Sequence, residues 1–289
     1  MAVLENTNRS DYAQRMVQAV EFIHQHLDEE LTLAQICRVA CFSPFHFHRQ
    51  FSAYLGVPVM RFIHLLRMKR SALDLAFNKP GSVLDVALAC GYESQAAFSR
   101  AFKALYGQTP AQFRTLPVWN QWHEIHRMTF PKEYYQMQVE LLDFPETMVA
   151  ALEHRGPESQ VYASSMKFID WRRESGIRPD HGNTYGIHYS DPKTTLPEDY
   201  RMDICVSVDE PVNENSQGVI TKVIPGGRCA VVRHTGSREY IPAAEYLYRE
   251  WLPQSGEELR DFPIFFHYVN VGPGVKDHEM ITDVYLPLR

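Results

Sequence analysis

The chain has 289 residues, enough for two domains of ordinary size, and at 45% hydrophobic residues each can build a core. It has no apolar run of about 18 residues, and residues 1–11 lack a basic segment followed by an apolar stretch, so neither a membrane span nor a signal peptide is expected. The net charge of −6 hides an asymmetry, since residues 1–115 hold 12 Lys+Arg against 9 Asp+Glu and the remainder 17 against 26. A basic module tied to an acidic one points to different partners for the two halves. The five cysteines are scattered and odd in number, which fits reduced, buried thiols in a cytoplasmic protein.

Leu31 to Ser43 has apolar residues at 33, 36, 37 and 40, a helical spacing. Ser43-Pro44 opens a second helix over 45–55, because serine caps helices and proline suits the first position; Gly56 is placed to end it. Pro58–Phe77 reads as one long helix, whose Arg61, Arg67, Lys69 and Arg70 are assigned to positioning on phosphates. About fifty residues after the first copy the pattern returns, with helices expected over 82–90 and 94–106. Leu33, Ile36 and Phe42 match Val83, Val86 and Tyr92. With one extra residue in the turn, Ser43, Phe47, Arg49, Phe51 and Gly56 match Ser94, Phe98, Arg100, Phe102 and Gly107. Helix, short turn, helix is a DNA-reading arrangement whose second helix enters the major groove, so two copies point to sequence-specific binding of double-stranded DNA.

Phe47, Phe51 and Leu55, spaced four apart, are core candidates. Phe45, His48, Arg49 and Ser52 form the opposite stripe, matched in the second copy by Ala96, Ser99, Arg100 and Lys103 with Gln95 beside them. Arginine pairs bidentately with guanine and glutamine with adenine, while small or aromatic groups contact a thymine methyl. A single exposed arginine is usually only a solvated charge; two at matched places in a repeat carry the reading. No metal site or cofactor is expected. The histidines of His24-x-His26 and His46-x-His48 point apart on a helix, and Cys37 and Cys41 fall on an apolar side. His123-x-x-His126 has no cysteine or carboxylate cluster beside it.

Gly91-Tyr-Glu-Ser-Gln-Ala-Ala-Phe-Ser-Arg-Ala-Phe-Lys103, followed by Gly107-Gln-Thr-Pro-Ala-Gln-Phe-Arg114, resembles the signature of AraC/XylS-type bacterial transcription regulators of the MarA/Rob-like kind. The resemblance covers about 11–115. It implies seven helices, with both recognition helices in successive major grooves on one face of the DNA. It places base reading at Phe45, His48 and Arg49 in the first and at Gln95, Ala96, Ser99 and Arg100 in the second. Such relatives usually carry Trp and Gln where this chain has Phe45 and His48, and Gln where it has Ala96, so its target sequence is expected to be its own.

Residues 116–136 read as a linker between a DNA-binding domain, 1–115, and a second domain, 137–289. There the chain repeats with a period of eighty: His154, Gly156, Trp171, Ser175, Gly176 and Asp203 match His234, Gly236, Trp251, Ser255, Gly256 and Asp283. Tyr189 matches Tyr268 at an offset of 79. Each copy reads strand, helix, strand, strand, after leading strands near 137–142 and 219–224. The helices fall at Ser159–Arg173 and about Ile241 to Trp251. The fold class is therefore α+β in two domains: an all-α tandem helix-turn-helix unit, then two pseudo-symmetric strand-helix-strand-strand repeats. The seam between similar halves is the natural cleft. Its aromatic candidates are Tyr162, Trp171, Tyr185, Tyr189, Tyr240, Trp251, Phe266 and Tyr268, in a region where any single aromatic is more often core.

His154-Arg-Gly156, Ile187-His-Tyr-Ser-Asp-Pro192, His234-Thr-Gly236, Glu250-Trp-Leu-Pro-Gln-Ser-Gly256 and Thr282-Asp-Val-Tyr-Leu-Pro287 resemble the GyrI-like (SHS2) effector-binding domains of multidrug-sensing regulators. The resemblance implies a groove between halves for a bulky amphipathic or hydrophobic compound. Many such domains carry a glutamate two residues before the position of Tyr268, where this chain has Phe266. A neutral or anionic amphiphile then fits better than a cation, unless Glu245 or Asp203 supplies the charge. The missing glutamate also weakens a hydrolytic reading. Together the two resemblances imply a ligand-responsive transcription regulator, not an enzyme. Its implied partners are DNA, RNA polymerase and a small amphiphile; a hydrolase or a purely protein-binding second domain remain the alternatives.

Overall fold

The computed structural model describes residues 15–77, 81–126, 137–177, 181–192, 194–238, 241–272 and 274–289, with all their side chains except those of Pro44, Phe45, His123, Glu124 and His126. The chain forms two compact units, Met1–Glu133 and Tyr134–Arg289. No helix among the described residues is long and apolar enough to cross a membrane.

In the first unit, helix α1 (15–25) buries Met16, Ala19, Val20 and Ile23, one face at helical spacing. Helices α2 (Leu33–Val39) and α5 (Val83–Ala89) begin the two repeats with the same device. The Thr32 hydroxyl accepts from Gln35 N (3.4 Å) while Gln35 Oε1 accepts from Thr32 N (2.8 Å); Ser82 and Asp85 do likewise. Each such capping box satisfies two otherwise orphaned N–H groups. The second helices, α3 (Pro44–Leu55) and α6 (Gln95–Tyr106), both end at a left-handed glycine, Gly56 (φ 74°) and Gly107 (φ 70°). Ser94 caps α6 by accepting from Ala97 N, but Ser43 makes no side-chain cap; there Pro44 has no N–H to satisfy.

Helix α4 (Val59–Phe77) serves both repeats. Its Phe62, Ile63 and Leu66 join Phe47 and Phe51 in the first core. Around the second repeat, Phe102 meets Phe98, Tyr106 and the Phe113 ring of α7 (Pro110–Thr115). The expected linker is, over its first part, helix α8 (Trp119–His126). Trp119 stacks on Phe77 at 5.8 Å and meets Phe113 edge-on at 5.4 Å, and Trp122 is buried. Two tryptophans give this short segment enough apolar surface to dock on α4, so it belongs to the helical unit. Of the five cysteines, Cys41 corrects the expectation of burial: it is exposed, at φ 52° in the turn after α2.

The second unit runs β1 (Glu140–Phe144), β2 (Thr147–Arg155), α9 (Val161–Glu174), β3 (Thr184–His188), β4 (Arg201–Ser207), β5 (Ile220–Ile224), β6 (Gly227–Thr235), α10 (Ala243–Tyr246), β7 (Phe265–Tyr268) and β8 (Ile281–Pro287). Beyond α10 the helical path continues through a π-helical Leu247–Trp251 to Leu252–Ser255. All eight strands form one antiparallel sheet, in the order β1-β6-β8-β7-β3-β4-β2-β5.

The period of eighty holds in the strand register. The pair Val149↔Ser207 recurs as Cys229↔Pro287, and Tyr185↔Cys205 as Phe265↔Tyr285. At the centre Gly186 pairs with its own mate, Phe266, so the pseudo-two-fold passes between them. The mate of Tyr268 is therefore His188; the offset of 79 that matched Tyr189 is one residue out of register, and Tyr189 lies beyond β3. The leading strands are exchanged: β1 pairs with β6 of the second half, and β5 with β2 of the first.

Side chains alternate between the two faces. One face carries Ala150, Leu152 and Val206 under Phe168 and Trp171 of α9, and Ala230, Val232 and Val284 under Ala243 and Leu247. The other holds Val149, Ala151, Tyr185, Ile187, Cys205, Phe265 and Tyr285, closed over by Phe144 and Ile224. Because α9 packs on β2 and β4, and α10 on β6 and β8, the central pair β3–β7 lies between the helices.

Candidate functional site

Two sites follow from this arrangement, one in each unit. On α3 the side chains of His48 and Arg49 are exposed, as are Gln95, Ala96, Arg100 and Lys103 on α6. Ser52 and Ser99 are half-buried, and the Ser52 hydroxyl donates to His48 O at 2.8 Å, which leaves it only its lone pairs to offer. The Phe45 side chain lies outside the described residues. Neither helix contains an acidic residue, and among the described residues Arg49 and Arg100 have no partner. The two matched guanidinium groups thus project from equivalent helices with their donors free.

Helix α4 corrects part of the phosphate assignment. Arg61 is exposed. Lys69 is only 6% exposed, with its ammonium over the Trp122 ring at 5.2 Å. Arg67 donates to the carbonyls of Leu27 and Glu29, and Arg70 pairs with Asp28 at 3.5 Å. All three are engaged within the helical unit, by partners from α8 and from the turn after α1, segments invisible in the local pattern of α4.

In the second unit the repeated His-x-Gly motifs are structural. His154 Nδ1 meets Ser164 Oγ at 2.8 Å and its Nε2 faces the carbonyls of Gly156 and Pro157, while His234 Nε2 faces Ser237 O. Each ring pins the turn between a strand and its helix, where Gly156 (φ 116°) and Gly236 (φ 134°) adopt a conformation that suits glycine.

The strip between the helices is floored by Gly186, His188, Phe266 and Tyr268, with Tyr162 of α9 beside them. The rings of His188 and Phe266 are 4.2 Å apart and those of Phe266 and Tyr268 6.4 Å. A Cβ on Gly186 would lie 2.8 Å from Tyr268 Oη and 3.1 Å from His188 Nε2, so both polar atoms converge over the glycine. His188 Nε2 is buried and has no hydrogen-bond partner among the described residues. Burial pushes the His188 imidazole down to about 4 and the Tyr268 phenol up to about 12, so both are neutral at pH 7. Burial likewise raises Tyr162 and Tyr200. The Arg238 guanidinium lies 5.0 Å over the Tyr268 ring and donates to Thr282 and Asn270.

Of the aromatic candidates, Phe266 and Tyr268 stand on this strip, and Tyr162 is near enough for the Tyr268 phenol to act on it. Trp171 is buried beneath α9 against Phe168, and Trp251 packs against the α10 core. Tyr185 is buried on the opposite face. Tyr189 donates to Asp203 at 2.9 Å under the Arg201 guanidinium, and Asp203 shares its face with Cys205, away from the strip. Asp203 is also bound by Lys222 at 2.7 Å, and Glu245 by Arg249 at 2.6 Å, so neither carboxylate is a free counter-charge. Tyr240 lies outside the described residues. Sequence reasoning missed Gly186, His188 and Arg238. The first two were within reach, since a strict shift of eighty from Phe266 and Tyr268 leads to them.

A helix-turn-helix pair with free cations on matched helices, followed by a pseudo-symmetric sheet with an aromatic strip between its helices, defines a DNA-binding transcription regulator with a small-molecule binding domain. Residues 36–115 match a helix-turn-helix domain, of the AraC type, and residues 137–289 the GyrI-like small molecule binding domain. The chain belongs to the GyrI-like family. It is 44% identical over 154 residues to the probable transcriptional regulator YgiV of Escherichia coli (strain K12), across 53% of this chain and 96% of that protein. It is 35% identical over 100 residues to the right origin-binding protein of the same organism, across 34% of each. EcmrR, solved in a DNA complex, aligns over 89% of this chain and 98% of its own, at 14% identity and a TM-score of 0.45.

Proposed function

We propose that α3 and α6 read successive major grooves of one DNA face, through His48 and Arg49 in the first and Gln95, Ala96, Ser99 and Arg100 in the second. The carrying observation is the pair of exposed arginines at equivalent places in the repeat, unpartnered among the described residues. The DNA-binding domain runs through α8 and the sensor begins at 137. An amphipathic ligand occupies the strip between α9 and the helical run that begins with α10, and changes DNA affinity or contact with RNA polymerase by favouring one state of the protein. The chain is not an enzyme, a reading that the phenylalanine at 266 supports, and it acts in the cytoplasm on the DNA itself. The test is binding to a selected operator. Arg49→Ala and Arg100→Ala each cost about 1–3 kcal/mol there and relax specificity at one position of their own half-site. Wild-type affinity and specificity in the double variant would sink the reading.

A further inference from the structure

The central pair of the sheet breaks the pseudo-symmetry at its axis. Gly186 and Phe266 are mates and face each other across β3–β7, yet one has no side chain and the other a large ring. Their neighbours on the same face, His188 and Tyr268, are also mates, and both turn their polar atoms over Gly186. They do not bond each other, and among the described residues His188 Nε2 has no partner. An unpaired polar atom in such a place is normally avoided, and a ligand group that pairs with it recovers the loss.

Charge is balanced around this point. Arg238 lies over Tyr268, but its Nε and Nη2 are bound to Thr282 and Asn270, and Asp277 acts on the same guanidinium. Arg172 donates to Thr184 at 3.2 Å. On the outer side, Glu158 and Asp277 both act on Tyr162. An ion buried here would give up its hydration without a dedicated counter-charge. The His188 and Phe266 rings lie tilted at 39° and the Tyr268 ring stands edge-on to Phe266, so an aromatic ligand meets ring carbon on this floor.

We infer that the groove selects an uncharged, flat aromatic ligand bearing one hydroxyl, seated over Gly186 between His188 Nε2 and Tyr268 Oη. This rests on the reading of the strip as the ligand site. A hydroxyl both donates and accepts, so it satisfies either tautomer of a neutral imidazole and the rotating Tyr268 O–H together. His188 Nε2 is closed off from solvent, so the seat requires a small shift of the side chains around it that keeps Tyr268 Oη within reach of the hydroxyl.

The test uses the full chain at pH 7 and four probes read by calorimetry: 2-naphthol, naphthalene, 2-naphthoate and 2-naphthylmethylammonium. 2-Naphthol binds tightest, by about tenfold or more over the other three. The preference for 2-naphthol over naphthalene falls about tenfold in His188→Phe and in Tyr268→Phe. Gly186→Ala, which fills the seat, weakens 2-naphthol most of all. If Tyr268→Phe does not fold, His188→Leu, which has no polar side-chain atom, carries the same comparison. Preference for either charged probe, or variants that bind 2-naphthol like the wild type, overturns the hydroxyl seat while the groove stands. Failure of all four probes to bind removes the ligand site itself, and the seat with it.

Discussion

Lys69 and Arg61 share one helix and one charge, and the structure gives them opposite work. The Lys69 ammonium is stacked over a buried tryptophan, whereas Arg61 is exposed. Only a cation that reaches phosphate displaces a counterion from DNA, so the two differ in salt dependence. Arg61→Ala reduces the slope of log affinity against log salt by about one, and Lys69→Ala leaves the slope unchanged while lowering the melting temperature of the helical unit. Affinity titrations from low to high salt, beside thermal melts, separate the two. His188 offers a second test at this scale. Its folded value is depressed to about 4, so the unfolded chain takes up the proton first as pH falls below about 6.5. The stability its burial maintains is complete above that range and is lost toward pH 4, about 2 kcal/mol of it by pH 5. His234 and His267 are depressed by burial too and push in the same direction. His188→Gln therefore flattens part of the stability profile between pH 7 and pH 5. An unchanged profile in denaturant melts would contradict the burial of that ring.

At the scale of elements, the exchanged strands make the two halves of the sheet interdependent. Residues 137–212 alone would leave β1 without β6 and the outer edge of β2 without β5, and would expose the underside residues Val149, Ala151, Tyr185 and Cys205. A lone half therefore lacks both its edge partners and its cover, and it is expected to be unfolded by circular dichroism, whereas 137–289 folds. The period of eighty residues in His154, Gly156, Trp171 and Asp203 made the two halves legible, and the paired serines, arginines and glycines did so for the helix-turn-helix units. The inward and outward parity of the aromatics was not legible. Tyr185 and Tyr268 look alike in a list of tyrosines, but the period of two along their strands sends one to the closed face and the other to the strip. The docking of α8 was hidden for a related reason: two tryptophans in a short irregular stretch announce burial but not against what.

For the whole molecule, the charge asymmetry sets how strongly it holds DNA that is not its target. Residues 1–115 carry a small positive excess, 12 Lys+Arg against 9 Asp+Glu, while the remainder carries 17 against 26. Non-specific binding is nearly all electrostatic, so an acidic domain tethered to a weakly basic reader opposes it. The opposition is screened over about 30 Å at 0.01 M salt but only about 8 Å at physiological strength. A chain ending at residue 136 is therefore expected to bind random-sequence DNA more tightly than the full chain at low salt. The two converge as salt rises, and the preference of each for the operator over random DNA grows because the sequence-independent term weakens. Anisotropy titrations of both proteins across salt decide it: parallel curves would mean that the acidic half contributes no field at the DNA. Convergence would mean that the acidic half opposes non-specific binding through its field, which leaves the base contacts proposed for Arg49, Gln95 and Arg100 a larger share of the binding to the operator.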